Sequence, residues 1–427
     1  MKHPELVALA CLLSAACLPP VETPVEAPVE TLIERARRIH ADAIVIDTHS
    51  DTTPYFEDPE FRFDERHSKS ELHMDLPRIR EGGLDVEFWS IYMGKREGDG
   101  RAIREALERI DAVHEMVATH PNIELATSVA DVRKHVAEGH FVSMMGLEGG
   151  HIIEDSFAAL RNFYRLGVRY MTLTHSFHTS WADSSGTRTA PEPVHDGLTD
   201  RGVAVVREMN RLGMMVDISH VSDATFWDAI EATHAPLIAS HSSIRSVYDH
   251  GRNMSDDMLR ALARNGGVVM INFYSGYIDP EIGEEMRRYY ETWEPTLREL
   301  GKRHADDWWA LWNARREHYE RWPTPQAQLS VLLDHYDRAI AVAGPDHVGI
   351  GADWDGISSL PIGMDEVNLL PDLTLGLLQR GHSEETVRKV LGENLLRVLS
   401  EVEEVGAKLR ETDPAGPIRL EAPPTSH

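Results

Sequence analysis

The chain has 427 residues, 43 basic and 70 acidic, for a formal charge of −27. Its apolar share of 42% is ordinary for a globular chain with a sizeable core, and its length suits one large α/β barrel with insertions or two domains. So acidic a surface repels polyanions, which discounts nucleic-acid binding and direct adhesion to anionic lipid headgroups.

Lys2 and His3 precede an apolar run from Leu6 to Leu13, followed by Ser14-Ala15-Ala16-Cys17. The run is too short to span a bilayer and reads as a secretory signal. Small residues before a cysteine also fit a bacterial lipoprotein processing site, with Cys17 as the lipid-bearing residue; Glu5 weakens the basic flank. Residues 18–30 alternate Pro and Glu with small apolar residues, a composition that extends the chain and removes helix and strand. The expected organisation is a leader at 1–17, a linker at 18–30, a barrel at 31–412 and a loose Pro-rich tail at 413–427. The expected location is outside the cytoplasm, periplasmic or anchored to the outer membrane if the source is bacterial. Cys11 and Cys17 are the only cysteines, so the barrel can hold neither a disulfide framework nor a thiolate-bound metal.

A short helix over about 31–41 opens the barrel. Strand signals then fall at 43–48, 84–92, 140–147, 168–174, 213–219, 236–240, 267–273 and 347–352. Helical patterns at 101–118, 156–166, 200–212, 222–232, 255–264 and 328–343 separate them. Eight apolar strands alternating with helices predict an α/β fold, a (β/α)8 TIM-type barrel with a helical insertion between the seventh and eighth strands. A doubly wound sheet is the rival, weakened because no Gly-rich phosphate turn follows the first strand. The insertion, residues 278–327, holds five of the nine Trp: Trp293, Trp308, Trp309, Trp312 and Trp322. It reads as a lid, a homodimer contact or simple packing on the barrel.

Metal-ligand residue types sit just past the apolar strands. Ala-Ile-Val-Ile (43–46) leads to His49 and Asp51, and Phe-Val-Ser-Met-Met (141–145) leads to Glu148. Met-Met-Val-Asp-Ile (214–218) leads to His220, and Pro-Leu-Ile-Ala (236–239) to His241. Ligands at the C-terminal ends of successive parallel strands converge on one mouth of a barrel. Positions i and i+2 of a strand share a face, so His49 and Asp51 can reach one ion. Glycines on both sides of Glu148 let the backbone approach closely. Three His, one Asp and one Glu suit zinc or a similar divalent ion. Taken singly, each is more often a hydrogen-bonded strand-end residue or a solvated turn; together they shift the balance.

His175 ends the fourth strand as a sixth metal-type residue or a donor to substrate, while His178 and Asp183 read as loop residues. Asp353 ends the eighth strand and could shuttle a proton; Asp355 shares its phase, with a loop role equally open. Arg252, after the sixth strand, could clamp a carboxylate or pair with the acidic surface. Two ions bridged by Glu148 would use the ligand set economically, activating water and polarising a carbonyl, with Asp353 as proton donor to the leaving amine.

These residues resemble the membrane (renal) dipeptidase family. The resemblance is carried by His49-x-Asp51, Gly146-Leu147-Glu148-Gly149-Gly150, Leu173-Thr174-His175-Ser176 and Gly197-Leu198-Thr199. It continues through Met209-Asn210-x-Leu212-Gly213-Met214, Asp217-x-Ser219-His220, Ser240-His241-Ser242, Arg252-Asn253 and Asn272-Phe273-Tyr274. Gly351-x-Asp353-x-Asp355-Gly356 and Asn394-Leu395-Leu396-Arg397 complete it, from about residue 42 to about 400. The resemblance implies a dizinc barrel of amidohydrolase style that cleaves dipeptides, often tolerating a D-residue on the C-terminal side. It implies one zinc on His49, Asp51 and Glu148 and another on Glu148, His220 and His241. It further implies His175 on the substrate or oxyanion, Arg252 on the C-terminal carboxylate, Asp353 on the proton and Tyr277 near a substrate-contact tyrosine. Mammalian relatives carry disulfides and a C-terminal lipid anchor; here any anchor must be N-terminal, on Cys17. The alternatives are another barrel amidohydrolase, such as a deaminase or an N-acyl-amino-acid deacylase, and a non-catalytic surface lipoprotein. The carboxylate clamp disfavours the deaminase, and the intact ligand set disfavours the scaffold.

Overall fold

Parallel strands β1 (Ile46–Ser50), β2 (Val86–Ile91), β3 (Ile123–Leu125), β4 (Phe141–Leu147) and β5 (Val168–Thr172) form the first half of the sheet in the computed structural model. Strands β6 (Met215–Asp217), β7 (Leu237–Ser242), β8 (Val268–Ile271) and β9 (Val348–Ile350) form the second. The structure describes residue 1 and residues 30–94, 100–187, 190–304 and 308–412. The strands run in the order β2-β1-β9-β8-β7-β6-β5-β4, and β2 returns to β4 from Val86↔Val142 through Ile91↔Leu147. That last pairing closes an eight-stranded barrel and leaves it without edges. The expected (β/α)8 architecture is therefore present. β3 is additional: it lies outside the closed ring, against the first residues of β4 (Ile123↔Phe141 to Leu125↔Ser143). Three residues, Ile-Glu-Leu, are too few to reveal a strand period.

Alternate residues of the strands fall into two buried clusters. Phe88, Met144, Tyr170, Met215, Ile238 and Met270 belong to one, with Leu395 and Leu399 of the last helix. Trp89, Met145, Met171, Val216, Ala239 and Val269 belong to the other, with apolar residues of the surrounding helices. The period of two in a fully buried strand thus divides barrel filling from barrel–helix packing.

The helices begin where their caps dictate. Ser128, Ser156, Thr199, Ser222 and Ser255 each accept a hydrogen bond from a backbone N–H three residues on. Such caps are worth about 1 kcal/mol each, and they fix the register in which each helix returns the chain to the next strand.

The insertion forms helices Ser275–Ile278, Pro280–Arg303 and Trp308–Arg321 ahead of Leu329–Ala343. The Trp293 and Trp322 rings pack with centres 4.3 Å apart, tilted by 38°, and Trp312 Nε1 donates to Tyr55 Oη at 2.7 Å. The insertion therefore packs on itself and on the turn Thr53–Glu57 that follows β1. Apart from residues 1 and 30, the expected leader and spacer lie outside the described residues, as does the tail 413–427. Among the described residues no helix is long and apolar enough to cross a membrane.

Gly146 is required by close approach. A Cβ there would collide with the ring of Tyr170, whose hydroxyl lies 2.8 Å from His49 Nδ1. Gly146→Ala is expected to destabilise the fold by about 1–3 kcal/mol, read as a lower urea midpoint. An unchanged midpoint would mean that Tyr170 moves aside freely.

Candidate metal centre

The strand ends bring the predicted ligands to one mouth. His49 lies within β1 and His241 within β7; Glu148 follows β4 directly, and His220 follows β6 after a short turn. Glu148 Oε1 lies 3.5 Å from His49 Nε2, 3.5 Å from His175 Nε2, 3.3 Å from His220 Nε2 and 3.6 Å from His241 Nε2. Asp51 Oδ2 is 3.7 Å from His49 Nε2. Metal-type donor atoms gather in three overlapping sets: His49, Glu148 and His241; Glu148, His175 and His220; His49, Asp51 and Asp353. Asp51 reaches the mouth from beyond the strand, because β1 ends at Ser50 after a register irregularity. Strand alternation thus put the pair on the correct side for a reason only partly right.

Hydrogen bonds beneath the mouth fix the imidazole tautomers. Tyr170 Oη donates to Thr48 O at 3.0 Å, so at His49 Nδ1 (2.8 Å) it must accept. Ser240 Oγ donates to Asp217 Oδ2 at 2.6 Å, so at His241 Nδ1 (2.8 Å) it too accepts. In its neutral form each ring then carries the proton on Nδ1 and turns an Nε2 lone pair towards Glu148. His220 Nε2 lies 2.8 Å from His241 Nε2, and His49 Nε2 is buried with no hydrogen-bond partner. Converging lone pairs beside a buried carboxylate fit a divalent cation.

The electrostatics agree. Burial, with help from the Arg252 charge, holds His220 well below the ordinary imidazole range; burial and neighbouring cations do the same for His241. Both therefore stay neutral, the form that binds metal. Burial alone would raise Glu148, but His49, His175 and His220 outweigh it and hold the carboxyl well below its usual range. Burial would lower His49; Tyr170, Glu148 and Asp51 instead raise it well above its usual value. The proton so held is one that a bound cation would displace.

Asp353 is buried, and its Oδ2 accepts from Asn272 Nδ2 at 2.9 Å. Burial, reinforced by Asp51 and Glu148, pushes its carboxyl well above the usual range, which suits a group that exchanges protons. Arg252 is only 4% exposed. Its Nη2 donates to His241 O at 3.1 Å, while its Nε is buried without a partner. Among the described residues no carboxylate pairs with this guanidinium. Tyr277 lies beneath it, ring centre 5.6 Å from the guanidinium carbon.

A cavity of about 1080 Å³ opens over this cluster, lined by Asp51, Glu148, His175, His220, Arg252, Tyr277 and Asp353. His178 and Asp183 stand apart from it: His178 Nδ1 meets Asp183 Oδ1 at 3.0 Å, and the Asp183 carboxylate accepts from the backbone of Val194, His195 and Gly197. Asp355 lines the cavity but is committed to Thr52 Oγ1 at 2.6 Å and His73 N at 2.7 Å.

Sequence reasoning missed several contributors. Ser90 Oγ donates to Glu148 Oε2 at 3.1 Å, and the Tyr92 ring lies 4.5 Å from that of His175. Ser90 lies near the end of β2 and Tyr92 follows it directly, the place along a strand where the ligands were found. Asp47 and Glu87 face each other across β1 and β2, fully buried. Burial raises the Asp47 carboxyl to about 6 and Glu87 well above its usual value. Asp47 Oδ1 accepts from Ala352 N at 2.9 Å and His49 N at 3.3 Å, joining the His49 backbone to the loop after β9.

A family model described as membrane dipeptidase (peptidase family M19) matches residues 33–413. The crystal structure of the probable dipeptidase PvdM from Pseudomonas aeruginosa superposes with a TM-score of 0.74 at 23% identity, covering 88% of this chain and 99% of that one. That likeness shows the fold. A metallopeptidase, dipeptidase AC, is 26% identical with a TM-score of 0.68, covering 84% of this chain and 98% of its own. A metallopeptidase from Rhodobacter sphaeroides, liganded with a phosphinate mimic of the dipeptide L-Ala-D-Ala, is 25% identical. Its TM-score is 0.68, with 84% of this chain and all of that chain covered.

A ligand that binds only the folded state stabilises it by about 2.7 kcal/mol at a hundredfold excess over Kd. Zinc is expected to raise the thermal midpoint accordingly and a chelator to reverse the rise, with Glu148→Gln losing most of the shift. A midpoint indifferent to zinc and chelator would separate this cluster from metal binding.

Proposed function

The chain belongs to the membrane dipeptidase family of metallopeptidases, and from that membership we propose an exported dizinc dipeptidase that also accepts a D-residue on the carboxyl side of the scissile bond. The observation that carries the reading is Glu148, one carboxylate oxygen ringed by four imidazole nitrogens at 3.3–3.6 Å. His49, Asp51 and Glu148 would hold one ion, and Glu148, His220 and His241 the other. The pair, when bound, supplies the Lewis acidity that makes water a nucleophile at neutral pH and polarises the scissile carbonyl.

The remaining roles fall to the chain's own side chains. Arg252 would take the substrate's terminal carboxylate on its unpartnered Nε, which fixes the peptide's direction in the cavity. Ser176 Oγ lies 3.0 Å from His175 Nδ1. With that hydroxyl donating, His175 keeps its proton on Nε2, facing the mouth, and can give a hydrogen bond to the carbonyl oxygen as negative charge develops there. Asp353 would accept the proton of the attacking water and return it to the departing amine, a role suited to a carboxyl raised by burial. The D-residue reading draws support from the Rhodobacter sphaeroides relative and its L-Ala-D-Ala mimic. Export, with a lipid on Cys17, rests on the basic, apolar and small-residue order of residues 2–17.

An N-acyl amino acid would satisfy the same guanidinium. A panel of L,L and L,D dipeptides and N-acyl amino acids with the zinc-loaded protein therefore tests the reading. Dipeptides are expected to turn over fastest; exclusive turnover of N-acyl amino acids would replace the dipeptidase by a deacylase. Arg252→Ala is expected to raise KM for dipeptides by roughly 10- to 100-fold, the loss of a charge-assisted contact of about 1.5–3 kcal/mol, with zinc content retained. An unaltered KM would remove the clamp role.

A further inference from the structure

Four tyrosines form a continuous wall from the carboxylate clamp to the insertion. The Arg252 guanidinium lies over Tyr277, and Tyr277 meets Tyr274 edge-on with ring centres 4.6 Å apart. Tyr274 Oη donates to Tyr290 Oη at 3.4 Å, and Tyr290 Oη meets Ser358 Oγ at 2.9 Å. Tyr319 lines the same cavity. Tyr290 belongs to helix Pro280–Arg303 and Tyr319 to helix Trp308–Arg321, so half the wall comes from the insertion. All four rings line the cavity.

The wall is pre-formed. A Cβ on Gly276 would come within 2.7 Å of the Tyr274 ring, so the backbone there leaves room for that ring alone. The Tyr274 and Tyr290 hydroxyls are engaged with each other and with Ser358, so at these two residues ring surface is what a ligand meets. Aromatic faces held this way favour another ring, offset or edge-on, over an aliphatic group of equal size. The volume leaves room for a large side chain: about 1080 Å³ slightly exceeds the roughly 300–1,000 Å³ of small-molecule pockets and is far more than Ala-Ala fills.

We propose that this wall is the subsite for the side chain of the substrate's carboxyl-terminal residue, and that the enzyme prefers dipeptides ending in an aromatic residue. The inference rests on the proposed clamp: with the terminal carboxylate on Arg252, the carboxyl-terminal residue is the one beside Tyr277 and Tyr274.

The test compares kcat/KM of the zinc-loaded full-length protein on Ala-Ala, Ala-Leu, Ala-Phe and Phe-Ala, each with L and D carboxyl-terminal residues. Ala-Phe is expected to exceed Ala-Ala by about tenfold or more, the scale of a well-filled subsite, with Ala-Leu between them and Phe-Ala without the gain. Tyr290→Ala should bring the Ala-Phe to Ala-Ala ratio towards one, whereas Tyr290→Phe, which keeps the ring, should preserve it; Tyr319→Ala provides a second truncation if Tyr290→Ala does not fold. A ratio near one with Ala-Ala hydrolysed, a preference for Phe-Ala, or a ratio that survives both truncations overturns the subsite and leaves the dipeptidase standing. Failure of every dipeptide overturns the dipeptidase reading and this inference with it.

Discussion

The hydroxyl protons of Tyr170 and Ser240 are committed away from the imidazoles of His49 and His241, and much of the site depends on that. Tyr170 gives its proton to Thr48 O and Ser240 gives its own to Asp217. His49 and His241 are left to donate from Nδ1, so their Nε2 lone pairs point at the Glu148 carboxylate. A donor set of this kind is costly to bury without a compensating cation, yet Glu148 is only 3% exposed and His49 is fully buried. Gly146 enters the same constraint, since it makes the room in which Tyr170 can hold His49. So does the β2–β4 pairing, which closes the ring and brings Ser90 to Glu148 Oε2.

Backbone conformation completes what the strands begin. His220, Asp353 and Asp355 adopt φ values of 65°, 68° and 62°, in the left-handed region that non-glycine residues rarely occupy. Such positions cost of order 1 kcal/mol or more each and persist only where their surroundings enforce them. Here Ser185 N donates to His220 O at 2.8 Å, and Asp353 N to His49 O at 3.0 Å. The turn just past each strand folds the side chain back over the mouth.

The legible part of the molecule was the part with a period or a strand end. Helices such as Asp200–Leu212 carry apolar positions at helical spacing and a capping Thr199, so their bounds could be read closely. His49, Glu148, His220 and His241 could be found because polar ligand types interrupt apolar strands at the same relative place. Features without such a signal escaped. β3 is three residues long. Glu87 is fully buried with both carboxylate oxygens lacking partners, and no local pattern in Asp-Val-Glu-Phe-Trp marks it as different from a surface-facing residue. Tyr290 and Tyr319 are spaced like any half-buried residues of two helices; only tertiary packing brings them to the cavity. The His49 tautomer depends on a hydroxyl 121 residues away in sequence, that of Tyr170.

The origin of the cavity walls has an evolutionary corollary. The groups proposed to break the bond sit at or just past the ends of barrel strands, whereas Tyr290 and Tyr319 ride on a single contiguous excursion between β8 and β9. Recombination or drift within that one stretch can retune which molecules are admitted without disturbing the hydrolytic apparatus. Natural variation among homologues, and any effort to redirect the enzyme in the laboratory, can therefore concentrate on a replaceable cassette while the engine stays constant.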